Sequence, residues 1–257
     1  METIYTTFKK KLCKYNFLYI FYIFNLNKLF IHFYIINTYT NAYYNLLTLY
    51  INMIYIIITT SITSKDPSQN HIHRQNRYIK SIRYLLQLIK DDVFIKPIIV
   101  ENNGLRQTYL DDLNCDICYT NNNNLNFGHK GGNELADIKE VINRYKIQDD
   151  DVVIKLTGQY KMLNLNFINL VKDNINTDAF VKFFNVCTKQ YMFDDCVLGL
   201  FAIKCKYLKE FNYNFIKGPE CEFADYVRKN INQKNLMEIK QLDLECCFAD
   251  DLRILNV

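Results

Sequence analysis

The sequence predicts an α/β fold of three layers, α/β/α, around a mostly parallel central sheet. Two observations carry this prediction. Short runs of β-branched and aliphatic residues alternate with amphipathic helical segments after residue 53, which is the order of a doubly wound sheet. Several of these runs are continuously apolar, as expected for strands that are covered on both faces. The 257 residues suffice for one large core.

The first half of this region alternates regularly. Strands are expected over 54–60, 96–100, 116–119 and 152–156. Between them, the spacing of apolar residues predicts helices over 70–90, 105–110 and 133–145.

The second half alternates less cleanly. Apolar runs predict strands over 179–187, 196–203 and 238–248, and helices over 167–172, 204–211 and 218–230. The many phenylalanines and tyrosines of this half are expected to pack in the core. Both halves together are expected to form one domain, residues 53–257.

Residues 1–52 form a hydrophobic extension that differs from the rest of the chain. A basic cluster at 9–14 precedes an aromatic and aliphatic stretch over 15–36, the order of a membrane signal-anchor. Polar residues interrupt the stretch, and a spanning helix needs about 20 apolar residues. Three interpretations stay open: a poor membrane anchor, a peripheral or disordered extension, or upstream sequence outside a native protein that starts at Met53.

Composition and motifs exclude several classes of site. The net charge of +4 is too small a bias to indicate nucleic-acid binding. The nine cysteines include one Cys-x-x-Cys pair, Cys115 and Cys118, without a second pair at zinc-site spacing. The sequence has no G-x-G-x-x-G, Walker A or G-x-S-x-G pattern, so it predicts no dinucleotide fingerprint, P-loop or hydrolase elbow.

Polar residues follow the expected strands at the point where each strand ends. Open α/β sheets bind ligands at this carboxyl edge. The Gly-rich entry to a helix near 128–132 suits phosphate, because free N–H groups and the helix dipole favour an anion. The candidate binding residues at this edge are Thr59, Thr60, Ser61, Glu101, Lys130, Lys155, Thr157, Gly158, Gln159 and Tyr160.

Four segments of the chain resemble a known family. IYIIITTSI, IIVENNG, NFGHKGGNELADIKEVI and DDDVVIKLTGQY are similar to nucleotide-diphospho-sugar transferases of the GT-A type, over roughly residues 53–250. More narrowly, they resemble bacterial and giant-virus glycosyltransferase-like proteins in which a K-x-T-G-R-Y motif ends the fourth strand. The resemblance implies a GT-A-like, Rossmann-like fold and transfer of a sugar from a nucleotide-sugar donor, bound by the first half. It implies an acceptor, a glycan, protein or lipid, bound by the second half.

The chain departs from the family pattern in two places. GT-A enzymes usually carry Asp-x-Asp after this strand to hold a divalent metal, Mn²⁺ or Mg²⁺, against the diphosphate, whereas this turn is Thr157-Gly158-Gln159. No metal ligand is therefore expected, and the acids at 149–151 fall at the opposite end of the strand, where they are expected to be solvated. The Arg of the motif is Gln159. A donor-binding relative without activity, or a membrane-anchored structural protein, therefore stays open beside an active transferase.

An inverting transfer needs a carboxylate base to deprotonate the acceptor hydroxyl. By analogy with the family, Glu222 is the first candidate, followed by Glu220, both near the start of a predicted helix. Asp194 and Asp195 are the reserve. The protein is expected either to be attached through residues 15–36 to the cytoplasmic side of a membrane or to be free in the cytoplasm. If the protein is viral, this is the membrane or cytoplasm of a host cell.

Overall fold

The computed structural model describes residues 53–62, 71–104, 106–247 and 253–257. The extension 1–52, with its apolar stretch 15–36, lies outside the described residues. In the part of the chain that is described, no helix combines the length and the apolar character that crossing a bilayer requires.

The described residues form a central sheet of seven strands and a second sheet of three. The central sheet has the order β3-β2-β1-β4-β7-β6-β8, and the second has the order β10-β9-β5. The strands are β1 (Ile54–Thr60), β2 (Ile95–Glu101), β3 (Asp116–Tyr119), β4 (Val152–Thr157), β5 (Lys161–Met162), β6 (Ala179–Val181), β7 (Leu200–Lys204), β8 (Leu236–Glu238), β9 (Leu244–Cys247) and β10 (Ile254–Asn256).

The central sheet is mostly parallel. β3, β2, β1 and β4 run parallel to their neighbours, as does the pair β6 and β8. β7 is antiparallel to both β4 and β6. This topology confirms the predicted fold class, although the sequence did not predict the reversed direction of β7.

Helices cover both faces of the central sheet. They are α1 (His71–Ile89), α2 (Lys130–Tyr145), α3 (Asn166–Asp173), α4 (Cys205–Glu210) and α5 (Pro219–Asn230). One apolar cluster joins α1 and α3 to residues such as Ile56 and Ile58 of β1. A second cluster joins α2, α4 and α5 to Ile57 on the opposite face of the same strand. Because β1 is buried from both sides, its continuous apolar run matches the three-layer arrangement.

Arg77 connects the small sheet to the end of β4. Arg77 of α1 forms an ion pair with Glu245 of β9, with 2.5 Å between Nη1 and Oε1. The same guanidinium donates from Nε to the backbone carbonyl of Gln159 at 2.7 Å. One arginine thereby fixes a helix, the turn after β4 and the second sheet to each other.

Three predicted elements differ from the structure. Residues 106–110 are not helical, and a 3-10 turn follows at Asp111–Leu113. The strand predicted over 179–187 ends at Val181, because Asn185 pairs with Gln190 in a local hairpin instead of with the sheet. The strand predicted over 238–248 is two strands, since β8 pairs with β6 whereas β9 pairs with β5 and β10.

The connections place a crevice between β1 and β4. The chain leaves β1 through α1 on one face and enters β4 from α2 on the other. β1 and β4 are hydrogen-bonded parallel neighbours, with Thr59 level with Thr157. Such a switch point at the carboxyl edge is where doubly wound sheets bind ligands.

The core of β4 provides a test of this packing. Ile154 is fully buried, so Ile154→Ala is expected to lower the free energy of unfolding by about 2–5 kcal/mol through lost burial and a cavity. Ile72→Ala, at a side chain that is 70% exposed, is expected to change it by less than about 0.5 kcal/mol. Urea unfolding followed by circular dichroism measures both. Equal losses in the two variants would contradict the described core.

Candidate functional site

A buried lysine lies at the centre of the crevice between β1 and β4. The side chain of Lys155 is 2% exposed, and its ammonium lies 2.8 Å from Oε1 of Glu134 in α2. It also donates to the hydroxyl of Thr157 at 2.7 Å and to the carbonyl of Leu198 at 2.8 Å. Thr59 donates to the same oxygen of Glu134 at 2.5 Å. A buried ammonium is stable only with such partners, so these contacts also fix α2 against the sheet.

A second group of polar residues closes the edge beyond β2. The carboxylate of Glu101 is fully buried and accepts hydrogen bonds from the hydroxyl of Thr60, the backbone N–H of Ile62 and the side-chain amide of Asn103. Asn103 also donates to the hydroxyl oxygen of Ser61 at 3.3 Å. Thr60, Glu101 and Asn103 therefore fix Ser61 and Ile62, the two described residues that follow β1.

The turn after β4 is tightly packed. A Cβ added to Gly158 would lie 2.9 Å from Thr60 and from the ring of Tyr78, so only glycine fits there. Gln159 is buried, and its carbonyl binds Arg77 of α1. The ring of Tyr160 lies against the backbone of Gly199, and burial raises the pKa of its phenol. These three residues shape the end of the crevice.

The first turns of two helices meet beside the crevice. A Cβ added to Gly131 of α2 would come within 2.7 Å of Pro219 of α5. Lys130 is exposed on the first turn of α2. Glu220 is half-buried on the first turn of α5, and burial raises the pKa of its carboxyl above 4.5. The charges of Asp195 and Glu134 raise this pKa further, and that of Lys155 lowers it.

The structure gives Glu222 a different surrounding from the one expected. Its carboxylate accepts backbone N–H groups of Asn214 at 2.6 Å, Ile216 at 2.6 Å and Lys217 at 3.0 Å. Burial alone would raise the pKa of Glu222, but these N–H groups outweigh it and lower the pKa below 4.5. The carboxylate anchors the loop before α5. A carboxylate held in this way is a poor proton acceptor, because its charged form is already stabilised.

The aspartates before β4 are not uniformly solvated. Asp149 is on the surface and pairs with Lys209. Asp151 is buried, in contrast to the expectation, and accepts from the backbone N–H groups of Met53 at 3.0 Å and Gln148 at 2.9 Å. Asp151 therefore fixes the starts of β1 and β4, at the edge opposite the crevice.

The turn after β4 does not fit a divalent metal. Mg²⁺ and Mn²⁺ favour carboxylate oxygens, whereas Thr157, Gly158 and Gln159 provide a hydroxyl and an amide beside a buried ammonium. One oxygen of the nearby Glu134 carboxylate is already bound to Lys155 and Thr59. Within the described ranges, no group of three or more His, Cys, Asp or Glu side chains could hold a metal ion.

The structure sorts the predicted residues into separate groups. Thr59, Lys155 and Thr157 meet in the crevice, with Lys130 and Glu220 at its mouth. The carboxylate of Glu222, on α5, is bound instead by the loop before that helix. Glu134 was not among the candidate residues predicted from the sequence, although it binds both Lys155 and Thr59. A usable signal was present, because an apolar strand containing one lysine requires an acid from a covering element.

The chain is only distantly similar to proteins of known structure. No family model matches the chain, and no curated protein sequence matches it. A CMP-2-keto-3-deoxy-manno-octonic acid synthetase complexed with CTP is 10% identical over 73% of this chain and 89% of its own, with a TM-score of 0.46. A cytidylyltransferase from Leptospira borgpetersenii is 12% identical over 74% and 76%, with a TM-score of 0.44. A mannosyltransferase from Pyrobaculum calidifontis in complex with GDP-Man and Mn²⁺ is 8% identical over 74% and 55%, with a TM-score of 0.47.

The loop that Glu222 holds gives a prediction about stability. Glu222→Gln removes the charged acceptor of three N–H groups, so it is expected to cost about 1–3 kcal/mol of unfolding free energy at pH 7. Because the folded pKa lies below 4.5, the stabilisation by Glu222 is complete above pH 4.5 and is lost as the pH falls through the folded pKa. The wild-type protein should therefore lose stability more steeply in that acidic range than Glu222→Gln does.

The matched control is Asp225→Asn. Asp225 lies on the same helix and forms a surface ion pair with Lys217, which is worth at most about 1 kcal/mol. Chemical unfolding between pH 3 and pH 7 measures all three proteins. Parallel pH profiles for the wild type and Glu222→Gln would contradict the assigned role.

Proposed function

We propose that this protein binds a nucleotide-sugar donor at the carboxyl edge of its central sheet and transfers the sugar to an acceptor. The observation that carries the proposal is the crevice between β1 and β4, where Thr59 and Lys155 converge on Glu134. The place agrees with the general rule for ligands of doubly wound sheets. The resemblance of the segments around Lys130 and Tyr160 to GT-A glycosyltransferases supplies the class of ligand.

The diphosphate of the donor is assigned to the start of α2. This helix has 16 residues and begins with Lys130-Gly131-Gly132, and it presents backbone N–H groups and the positive end of its dipole. Lys130 is exposed beside them and adds a charged donor. The two glycines are needed for packing, since Pro219 lies against Gly131, and Phe127 and Phe215 lie against Gly132.

Glu134 and Lys155 are assigned to the floor of the crevice. One oxygen of Glu134 already accepts from Lys155 and Thr59, which fixes the carboxylate in one orientation. Its side chain is 29% exposed, in contrast to the 2% of Lys155. In this proposal the second carboxylate oxygen accepts a sugar hydroxyl of the donor, and Lys155 acts through Glu134 as a positioning residue.

Glu220 is assigned as the base for an inverting transfer. Its raised pKa means that it holds a proton more readily than an ordinary carboxylate, which suits a general base. The acceptor hydroxyl transfers its proton to Glu220 as the oxygen bonds to C1 of the donor sugar. The bond between C1 and the diphosphate oxygen breaks, and the nucleoside diphosphate leaves with the electron pair.

Donor binding without transfer is the second candidate. The environment of Glu222 favours it, because the first carboxylate that the family pattern indicates as base is bound to Asn214, Ile216 and Lys217 instead. The two candidates share the donor site and differ in turnover. A membrane association through 15–36 is a separate proposal, and sedimentation of chains starting at Met1 and Met53 with membranes tests it.

The first test addresses donor binding. We expect Lys130→Ala to weaken binding of UDP-, GDP- or CMP-sugars by about 5- to 10-fold, because one charged contact to phosphate is lost. Lys139→Ala is the control, since Lys139 lies further along α2 and binds Asn212. Isothermal titration calorimetry gives each dissociation constant. Absence of binding by the wild type to all three donor classes would contradict the proposal.

The second test addresses transfer. Glu220→Gln is expected to lower kcat by about 10²- to 10⁴-fold, the usual contribution of a general base, while donor affinity stays within twofold. Asp225→Asn on the same helix is expected to keep wild-type turnover. Release of UDP or GDP, or of CMP where a CMP-sugar is the donor that binds, measures the rate. Full turnover by Glu220→Gln would remove Glu220 as the base, and a binding protein without turnover would favour the second candidate.

A further inference from the structure

Two loops form an exposed aromatic surface at the mouth of the crevice. Phe127 precedes α2 and Phe215 precedes α5, and their rings are stacked with centroids 5.6 Å apart and planes 13° apart. Both rings are partly exposed, and the neighbouring Ile216 is 84% exposed. We call the pair Phe127 and Phe215 the aromatic platform. Apolar groups left in water at the edge of a site commonly mark a binding surface.

The platform is rigidly built. A Cβ added to Gly132 would lie 2.7 Å from Cβ of Phe127 and 2.9 Å from Cε1 of Phe215, so both rings rest directly on the helix backbone. Phe215 has φ of +60°, a conformation that a bulky residue rarely adopts and that costs about 1–3 kcal/mol. The backbone N–H groups of Asn214, Ile216 and Lys217, on either side of Phe215, donate to the carboxylate of Glu222. These hydrogen bonds hold Phe215 in this conformation.

The asparagine residues of the loops that carry the platform have two different roles. Asn122 donates to Asp137, and Asn133 donates to the carbonyls of Asn122 and Leu125, so these amides fix the loop before α2. Asn124, Asn126 and Asn214 are exposed. An exposed amide offers both donors and an acceptor to a ligand. The surface therefore combines a flat apolar area with neutral hydrogen-bonding groups.

The local charge favours a neutral ligand over an anionic bilayer. Lys217 next to the platform is paired with Asp225 at 2.7 Å, and Asp194 also lies near its ammonium. Interfacial binding to anionic lipid needs an excess of basic residues beside the apolar ones. The acids offset Lys217, so Lys130 alone adds an exposed positive charge next to Phe127. A sugar chain matches the surface, because it presents apolar C–H faces for the rings and hydroxyls for the amides.

We propose that the acceptor of this protein is a neutral oligosaccharide, and that a sugar ring of it packs on Phe127 and Phe215. The inference rests on the proposed function and narrows its acceptor to a glycan. The platform lies on the loops that lead into Gly131 and Pro219, so a ring bound there is adjacent to Glu220. Glu222 acts as a positioning residue, since it fixes the loop that presents Phe215.

The test titrates the full chain with cellohexaose, chitohexaose and maltohexaose, without donor. At least one is expected to bind, and Phe127→Ala and Phe215→Ala are each expected to weaken that binding by about 10-fold through loss of one large aromatic contact. Phe127→Tyr and Phe215→Tyr keep the ring and are expected to stay within about threefold. Tyr191→Ala removes an exposed aromatic near the other end of α5 and is expected to have no effect.

Three outcomes would overturn the inference. The first is that the wild type binds none of the hexasaccharides. The second is that the alanine variants bind a hexasaccharide as tightly as the wild type does. The third is that the protein binds no sugar but sediments with phosphatidylcholine–phosphatidylglycerol vesicles in a way that depends on Phe127 and Phe215. Thermal unfolding shows that each variant is folded. A parallel titration with donor separates the two proposals. Binding of a hexasaccharide without binding of any donor would support the aromatic platform and contradict the proposed transferase function. Binding of a donor without binding of any hexasaccharide would contradict the platform alone.

Discussion

Burial of the Lys155 ammonium inside the central sheet is the constraint on which this edge of the molecule depends. An unpaired charge at that position would cost several kcal/mol, so Glu134 must reach it from the covering helix. The requirement fixes the position of α2 along the sheet, and with it the turn that contains Gly131 and Gly132. Thr59 joins the same carboxylate, so β1, β4 and α2 are connected through one group of polar contacts.

The sequence predicted the fold class because that class follows from local pattern. The continuous apolar run of β1 and the helical spacing in α1 specify their elements without knowledge of the partners. Strand direction and the division between β8 and β9 depend on pairing between segments that are distant in the chain. The helix expected over 105–110 does not form in residues 106–110, and the 3-10 turn at Asp111–Leu113 follows them.

For the candidate site, the sequence indicates which residues lie at one edge of the sheet, but not which side chains contact each other there. Strand ends identify the edge, which is why Thr59, Lys155 and Thr157 were found. The residues next to a side chain in the sequence do not indicate which distant group it contacts in the fold. Glu134 was therefore overlooked, and Glu222 was assigned a catalytic role. Glu220 and Glu222, both in the first turn of α5, have similar local sequence contexts. Their difference arises from the loop 214–217, whose amides bind one carboxylate and leave the other beside the crevice.

The contacts of Arg77 have a consequence for the order in which the site is completed during synthesis. Its guanidinium holds the carbonyl of Gln159 and, at the same time, both the side chain and the backbone of Glu245. The turn after β4 is synthesised long before β9, and a domain generally folds as a unit. The last strand of the central sheet, β8, lies only a few residues before β9. The turn that ends β4 therefore reaches its final packing only when the C-terminal strands of both sheets are available.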